Sequence, residues 1–145
     1  MFKHLLLPTD GSSASEGAIR QALGLAKTSG AAVTVVHVIQ PFHVFAYEVA
    51  MVEPSNVTYL AQAHERAERY LKLVERAAKE LGLACDTRVE TDAHVYEGIL
   101  RVAKMQGCDL IVMCSHGRSA IRGLLLGSQT QKVLAHSTLP VLVLH

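Results

Sequence analysis

Five short strand-like runs, most of them continuously apolar, alternate along the chain with segments of helical periodicity. Strands that are apolar on both sides are typical of a parallel sheet covered by helices on both faces. The pattern therefore predicts an α/β fold with five parallel strands. The predicted strands are Leu5–Leu7, Val33–Val38, Ala84–Val89, Leu110–Met113 and Val141–Leu144.

Apolar residues at spacings of three and four predict four helices between these strands. Ser13 with Glu16, and Ser128 with Gln131, match the capping-box pattern at two of the helix starts. Residues 39–57, which contain two prolines, are predicted to be irregular. The predicted helices run from Ser13 to Gly30, from Thr58 to Leu81, from Ala93 to Gln106 and from Gln129 to His136.

Length and composition restrict the function classes. The 145 residues fit one domain, 1–145. A net charge of +1 gives no sign of a nucleic-acid partner, and no apolar run approaches the ~20 residues of a membrane span. The three cysteines are scattered, without a C-x-x-C pair, which favours a reducing, cytoplasmic location.

Glycine-bearing polar segments follow two of the predicted strands. They are Pro8–Ser13 after strand one and Cys114–Gly117 after strand four, and Gly127-Ser128 precedes the last helix. Ligands of open α/β sheets bind beyond the carboxyl ends of the strands. The segments meet there if strands one and four are neighbours, as in the order 3-2-1-4-5 but not in 2-1-3-4-5. A shared site therefore favours the first order.

These residues suit a phosphorylated sugar. Glycines let backbone approach phosphate oxygens, a helix beginning at Ser128 offers free N–H groups to an anion, and the Asp10 carboxylate can accept hydrogen bonds from ribose hydroxyls. Two plainer readings stand beside this one: Asp10 as a helix-cap residue, and Gly127-Ser128 as a loop end with an N-cap. Neither the dinucleotide fingerprint G-x-G-x-x-G nor a P-loop is present.

Three segments carry a family resemblance that extends over the whole chain. PTDGSSAS at 8–15, HVI at 37–39 and SHGRSAIRGLLLGSQTQKVLAHSTLPVLVL at 115–144 resemble the universal stress protein (UspA) family. The family pattern G-x2-G-x9-G-[ST] is matched in its later elements by Gly117, Gly127 and Ser128. Cys114 stands in place of the first glycine. A cysteine forced to positive φ there would cost about 1 kcal/mol, whereas a position needing only a small side chain would accept it.

The resemblance implies a Rossmann-like sheet of order 3-2-1-4-5, similar to the adenine nucleotide alpha hydrolases, that binds ATP or AMP. The eight histidines are scattered without an H-x3-H or H-E-x-x-H pattern, which argues against a metal centre, whereas Mg²⁺ bridging the phosphates needs no protein ligand. By position, Asp10 would bind the ribose, and the matched motif residues Gly117, Gly127 and Ser128 would contact the phosphates. The implied nucleotide-binding residues are Pro8, Thr9, Asp10, Val38 and Met113 around adenine and ribose, Gly117, Gly127, Ser128 and Thr130 at the phosphates, and also Cys114 and Gln129.

The predicted function is a nucleotide-dependent binding or signalling module in stress response. A dimeric scaffold without nucleotide and a slow ATP hydrolase are the alternatives. A Cys114–His116 hydrolase pair, a receiver domain and a pyrophosphate-releasing transferase fit less well, because the orienting acids or Gly-rich loop that each needs are missing. The last strand, 140–144, would lie at a sheet edge, which predicts a homodimer through that strand. The role of loop 40–55 stays open between lid, interface and flap.

Overall fold

Strands and helices alternate along the chain in the predicted sequence of elements. The computed structural model describes residues 1–41, 49–117 and 125–145, and of residues 49–56 it gives the backbone alone. The elements are β1 (His4–Pro8), α1 (Ser13–Ser29), β2 (Ala32–Ile39), α2 (Val49–Glu80), β3 (Cys85–Thr91), α3 (Val95–Met105), β4 (Leu110–Cys114), α4 (Ser128–His136) and β5 (Val141–Leu144).

The five strands form one parallel sheet of order β3-β2-β1-β4-β5, which confirms the order favoured by the sequence. In register, Leu6 lies between Thr34 of β2 and Ile111 of β4. The central position of β1 explains why its three leucines are almost completely inaccessible to solvent. It also makes the ends of β1 and β4 neighbours, as a shared site requires.

Side chains that alternate along each strand pack into two separate apolar layers, one on each face of the sheet. Leu5 and Leu7 pack with Ile19 of α1 and Leu71 of α2 on one face of the sheet. Leu6 packs on the other face with residues of α3 and α4. Helices therefore cover both faces, and the crevice above the strand ends opens between the two layers.

Both predicted capping boxes are wrong. The N-cap of α1 is Ser12, whose hydroxyl accepts a hydrogen bond from the Ser15 N–H at 3.2 Å. The N-cap of α4 is Gly127, so Ser128 is already helical. Adjacent serines offer equivalent hydroxyls to a sequence pattern, and only the path of the preceding turn decides which one caps the helix. The predicted end of α1 at Gly30 is confirmed: the last helical residue is Ser29, and Gly30 is its left-handed C-cap (φ 68°).

The long helix α2 corrects a second expectation. It begins at Val49 rather than Thr58, so part of the segment predicted to be irregular is helical. Pro54 lies inside the helix; it removes one backbone hydrogen bond but does not end the helix here. Residues 42–48 of the predicted loop lie outside the described residues. No helix of the described ranges is both long and apolar enough to cross a membrane.

Asp92 joins the end of β3 to the start of α3. Its carboxylate accepts hydrogen bonds from the His94 N–H at 2.9 Å and from Arg101 Nη1 at 2.6 Å. Arg101 also reaches Glu90 at 3.1 Å. The His94 amide, followed by the Arg101 side chain, lowers the pKa of Asp92 below its ordinary value.

This lowered pKa predicts how an Asp92→Asn variant behaves with pH. Because the folded-state pKa lies below the unfolded value of about 3.9, the stabilisation is complete at neutral pH and is lost as pH falls through the folded-state pKa. We expect the variant to lose about 0.5–1 kcal/mol of unfolding free energy at pH 7, a small figure because solvent screens the pair. Urea denaturation at pH 7 and at about pH 3 measures this difference. If the difference in unfolding free energy between the variant and the unaltered protein stays constant or grows at low pH, this stabilising role of the Asp92 carboxylate is contradicted.

Candidate functional site

The turn after β1 presents the Asp10 carboxylate above the sheet. Gly11 has a φ of 74°, a conformation that favours glycine and turns the chain sharply into α1. The Thr9 hydroxyl accepts the Gly11 N–H at 3.1 Å, and Asp10 Oδ1 accepts the Ser12 N–H at 2.9 Å. Asp10 therefore helps to shape the turn, while Ser12 caps the helix. The hydrogen bond to Oδ1 also fixes the direction of the second carboxylate oxygen.

That second oxygen, Oδ2, lies against the backbone of Gly117. A Cβ atom built on Gly117 would collide with Asp10 Oδ2 and would lie 3.4 Å from its Cγ. Residues more than a hundred positions apart in the chain are thus in contact, because β1 and β4 are neighbours. The absence of a side chain at 117 is what permits this approach.

Cys114 is the last residue of β4 and adopts ordinary strand geometry. Among the described residues, only glycines have positive φ. The Cys114 backbone is therefore unstrained, so the cost of a cysteine at positive φ does not arise. The Cys114 carbonyl accepts a hydrogen bond from the Thr130 hydroxyl at 2.9 Å.

The N-terminus of α4 is held close to the end of β4. The Gly127 N–H donates to the Ser115 carbonyl at 2.6 Å, and a Cβ on Gly127 would lie only 3.3 Å from that same oxygen. The first residues of a helix have N–H groups without intrahelical partners, and here these belong to Ser128, Gln129 and Thr130. The Gln129 side chain accepts the N–H of Tyr96 at 3.2 Å, which links α4 to the start of α3.

These segments enclose one cavity of about 590 Å³ at the carboxyl ends of the strands. All eleven site residues predicted from the sequence line it. They are Pro8, Thr9, Asp10, Val38, Met113, Cys114, Gly117, Gly127, Ser128, Gln129 and Thr130. The structure therefore brings together every predicted residue, whatever ligand the cavity takes.

An apolar side of the cavity lies between β2 and α3. Val38, Met113, Val95 and Ile99 line it. Gly98 lets α3 approach closely, since a Cβ there would lie 3.0 Å from Val38 Cγ1. Flat apolar surfaces of this kind, next to a carboxylate and free backbone amides, suit a planar ring joined to a polar, anionic group.

Sequence reasoning missed an entire wall of this cavity. The missed wall comes from α2, and its residues share one helical face. The only available signal was that two tyrosines flank small residues at spacings of three and four. It was obscured by the charged stripe of this helix, which consists of the pairs Glu65–Arg69, Glu68–Lys72 and Glu75–Lys79. The residues of the missed wall are Tyr59, Ala63, Arg66, Ala67 and Tyr70. Further lining residues, which the sequence did not predict to bind nucleotide, are Gly11, Ser15, Val36, His37, Ile39, Gln40, Val95, Ile99 and His116.

Neither the hydrolase pair nor a metal centre finds direct support in the geometry. His116 Nδ1 lies 3.2 Å from the Ser115 hydroxyl, with which it shares a hydrogen bond. In the described part of the chain, no group of three or more His, Cys, Asp or Glu side chains is arranged to hold a metal ion. Residues 118–124, which include Arg118 and Arg122, lie outside the described residues.

Comparison with known proteins gives consistent matches along the whole chain. A model of the universal stress protein family matches residues 1–145. A universal stress protein of Thermus aquaticus is 35% identical over 143 residues, which cover 99% of this chain and 98% of the relative. Protein MJ0577 of Methanocaldococcus jannaschii has a solved structure with a TM-score of 0.84 and 28% identity, over 99% of this chain and 96% of that one. A universal stress protein solved in complex with cAMP shares the fold, with a TM-score of 0.69 and 23% identity over 99% and 97%.

Proposed function

Since the chain belongs to the universal stress protein family, we propose that it binds an adenine nucleotide, ATP or AMP, in the cavity above β1, β2 and β4. Binding would make it a nucleotide-dependent binding or signalling module. In this arrangement Asp10 accepts hydrogen bonds from the ribose hydroxyls, the apolar side holds adenine, and the N-terminus of α4 receives the phosphates. The cAMP complex concerns another family member, and the support for this chain comes from its own cavity.

One observation carries the proposal: the Asp10 carboxylate lies directly against the backbone of Gly117. A carboxylate that selects a diol and a backbone that admits phosphate must be adjacent for one small ligand to touch both. A hydrogen-bond acceptor for the sugar hydroxyls and a backbone that admits the phosphate thus lie side by side in one cavity. The extended backbone of Cys114 removes the strain that would otherwise favour a scaffold without nucleotide.

Isothermal titration of the purified protein with ATP, ADP and AMP tests the proposal. We expect saturable binding with one site per chain, in the presence and absence of MgCl₂. Binding of none of the three nucleotides would overturn the proposal and would leave the scaffold alternative. Phosphate release measured on the same samples separates binding from slow ATP hydrolysis.

We also propose a homodimer that pairs β5 with its copy. β5 is the last strand of the sheet, and Leu142 exposes 37% of its surface there. An apolar edge strand with unpaired backbone groups favours pairing with another strand, and a two-fold axis would cover both edges at once.

A charge on this edge should separate the two copies. We expect Leu142→Lys to be monomeric at micromolar concentration, while the unaltered protein and Leu73→Lys are dimeric. Leu73 is a matched control because it exposes 61% of its surface on α2. Sedimentation equilibrium gives the masses. A monomeric unaltered protein, or a dimer that survives Leu142→Lys, would argue against pairing through β5.

A further inference from the structure

The cavity extends to both faces of the sheet, but the proposed nucleotide contacts use mainly one of them. Ile39 packs against Ala63 and Ala67 of α2, whereas its neighbour Val38 contacts α3 across the sheet. The α2 side of the cavity is therefore a separate region, next to the start of α1. Its chemistry is set by the side chains that α1 and α2 turn towards it.

Tyr70 places a buried hydroxyl in this region. The hydroxyl has no hydrogen-bond partner among the described residues, an uncommon and costly condition for a buried polar group. Burial raises the pKa of Tyr70, the Thr9 side chain opposes this shift, and the charges of Glu16 and Asp10 add to it. The phenol is thus protonated at neutral pH and can donate. The Thr9 hydroxyl lies close enough to Tyr70 to affect its pKa, but its hydrogen bonds are to the Ser15 hydroxyl at 2.7 Å and from the Gly11 N–H at 3.1 Å.

Arg66 lies one helical turn before Tyr70 and lines the same cavity. No ion pair joins it to an acidic side chain within the ranges that the structure describes. Residues four apart on a helix are neighbours on its surface, so the guanidinium and the phenol can act on one group. Among the described residues that line the cavity, Arg66 is the only lysine or arginine and Asp10 the only carboxylate.

The chemistry of this region is that of hydrogen-bond donors. A guanidinium donates through a planar fork and accepts nothing, and the Tyr70 hydroxyl is left to donate. Ser15 lines the same cavity, and its hydroxyl is shared with Thr9. Arg20 pairs with Glu16 nearby, which offsets the charge of that carboxylate. Grouped donors with an unpaired cation suit an oxyanion, and arginine is well matched to phosphate oxygens.

We infer that Arg66 and Tyr70 form a phosphate subsite separate from the N-terminus of α4. The phosphate has two sources, free inorganic phosphate or a distal phosphate of the nucleotide itself. Binding of free phosphate does not require the proposed nucleotide function, so the two ideas can fail independently. Arg66 supplies the charge, and Tyr70 donates the buried hydrogen bond that orients the group.

Nuclear magnetic resonance titration of the full chain with inorganic phosphate, at ionic strength matched with NaCl, tests the subsite. We expect saturable shifts of the Arg66 Nε–H signal, and a dissociation constant at least about 5-fold higher in Arg66→Gln and in Tyr70→Phe. Arg69→Gln is the matched control, because Arg69 lies on the same helix and pairs with Glu65 at 3.8 Å. Tyr70→Phe removes only the hydroxyl, and circular dichroism checks that each variant is folded.

The same titration with saturating AMP, and a comparison of ATP with AMP, distinguish the sources. Free phosphate is the occupant if its affinity at Arg66 persists beside AMP. A nucleotide phosphate is the occupant if ATP binds more tightly than AMP and both variants lose that preference. Either result supports the subsite. Phosphate shifts confined to the α4 amides, or equal in the variants and the unaltered protein, would overturn it, and failure of AMP to bind would count only against the proposed function.

Discussion

Replacing Asp10 by alanine should weaken the binding of both AMP and ATP by about 10- to 150-fold. Hydrogen bonds to a charged group contribute about 1.5–3 kcal/mol, which corresponds to this range of affinity. The loss should be similar for the two nucleotides, because the ribose is common to both. Isothermal titration of the variant gives the ratio directly.

The matched control is Asp86→Ala, which removes an exposed carboxylate of β3 that pairs with Arg88 at 2.8 Å, away from the cavity. It should bind nucleotide as the unaltered protein does. Asp10 Oδ1 also accepts the Ser12 N–H, so the thermal midpoint of Asp10→Ala should be measured as well. Unchanged affinity in Asp10→Ala would remove the carboxylate from the proposed site.

Gly117→Val should abolish most nucleotide binding, with an affinity at least about 10-fold lower. The added Cβ would overlap Asp10 Oδ2, and the Asp10 side chain is held by its hydrogen bond to Ser12. The carboxylate must turn away, and the new side chain would fill the space that the sugar-phosphate needs. Gly117 is exposed, so the free energy of unfolding should change much less than the affinity.

Gly24→Val provides the control for a glycine replaced by a branched side chain. Among the described residues, no heavy atom outside the backbone of α1 itself lies within 4 Å of a Cβ at Gly24. This variant should bind nucleotide normally and should not lose helix stability, because valine is a better helix former than glycine. If Gly117→Val also binds normally, then the contact between residues 10 and 117 has no part in recognition.

The strand order was predictable because function and topology constrain each other in this chain. Asp10 and Gly117 lie in different parts of the sequence, and a shared site exists only if β1 and β4 are adjacent. The apolar runs fixed which segments are strands, and the polar glycine-bearing ends indicated which strands must be neighbours. The sheet confirms that reasoning, and the eleven predicted residues line one cavity.

Helix starts and the α2 wall were not predictable in the same way. Ser12 and Ser13 are chemically equivalent as caps, and the positive φ of Gly11, which selects Ser12, belongs to the folded turn. Arg66 and Tyr70 lie on a helix whose charged stripe predicts only a solvated face. That this face closes a cavity depends on how α2 packs over β2, a long-range contact that periodicity does not report.

The most direct test of nucleotide recognition compares AMP with 2′,3′-dideoxy-AMP in the unaltered protein and in Asp10→Ala. If Asp10 binds the ribose hydroxyls, removing them should weaken binding to the unaltered protein by about 10-fold or more and should leave the affinity of Asp10→Ala nearly unchanged. An equal loss in both proteins would show that the carboxylate and the diol do not meet, and would contradict nucleotide binding in the arrangement proposed for this cavity.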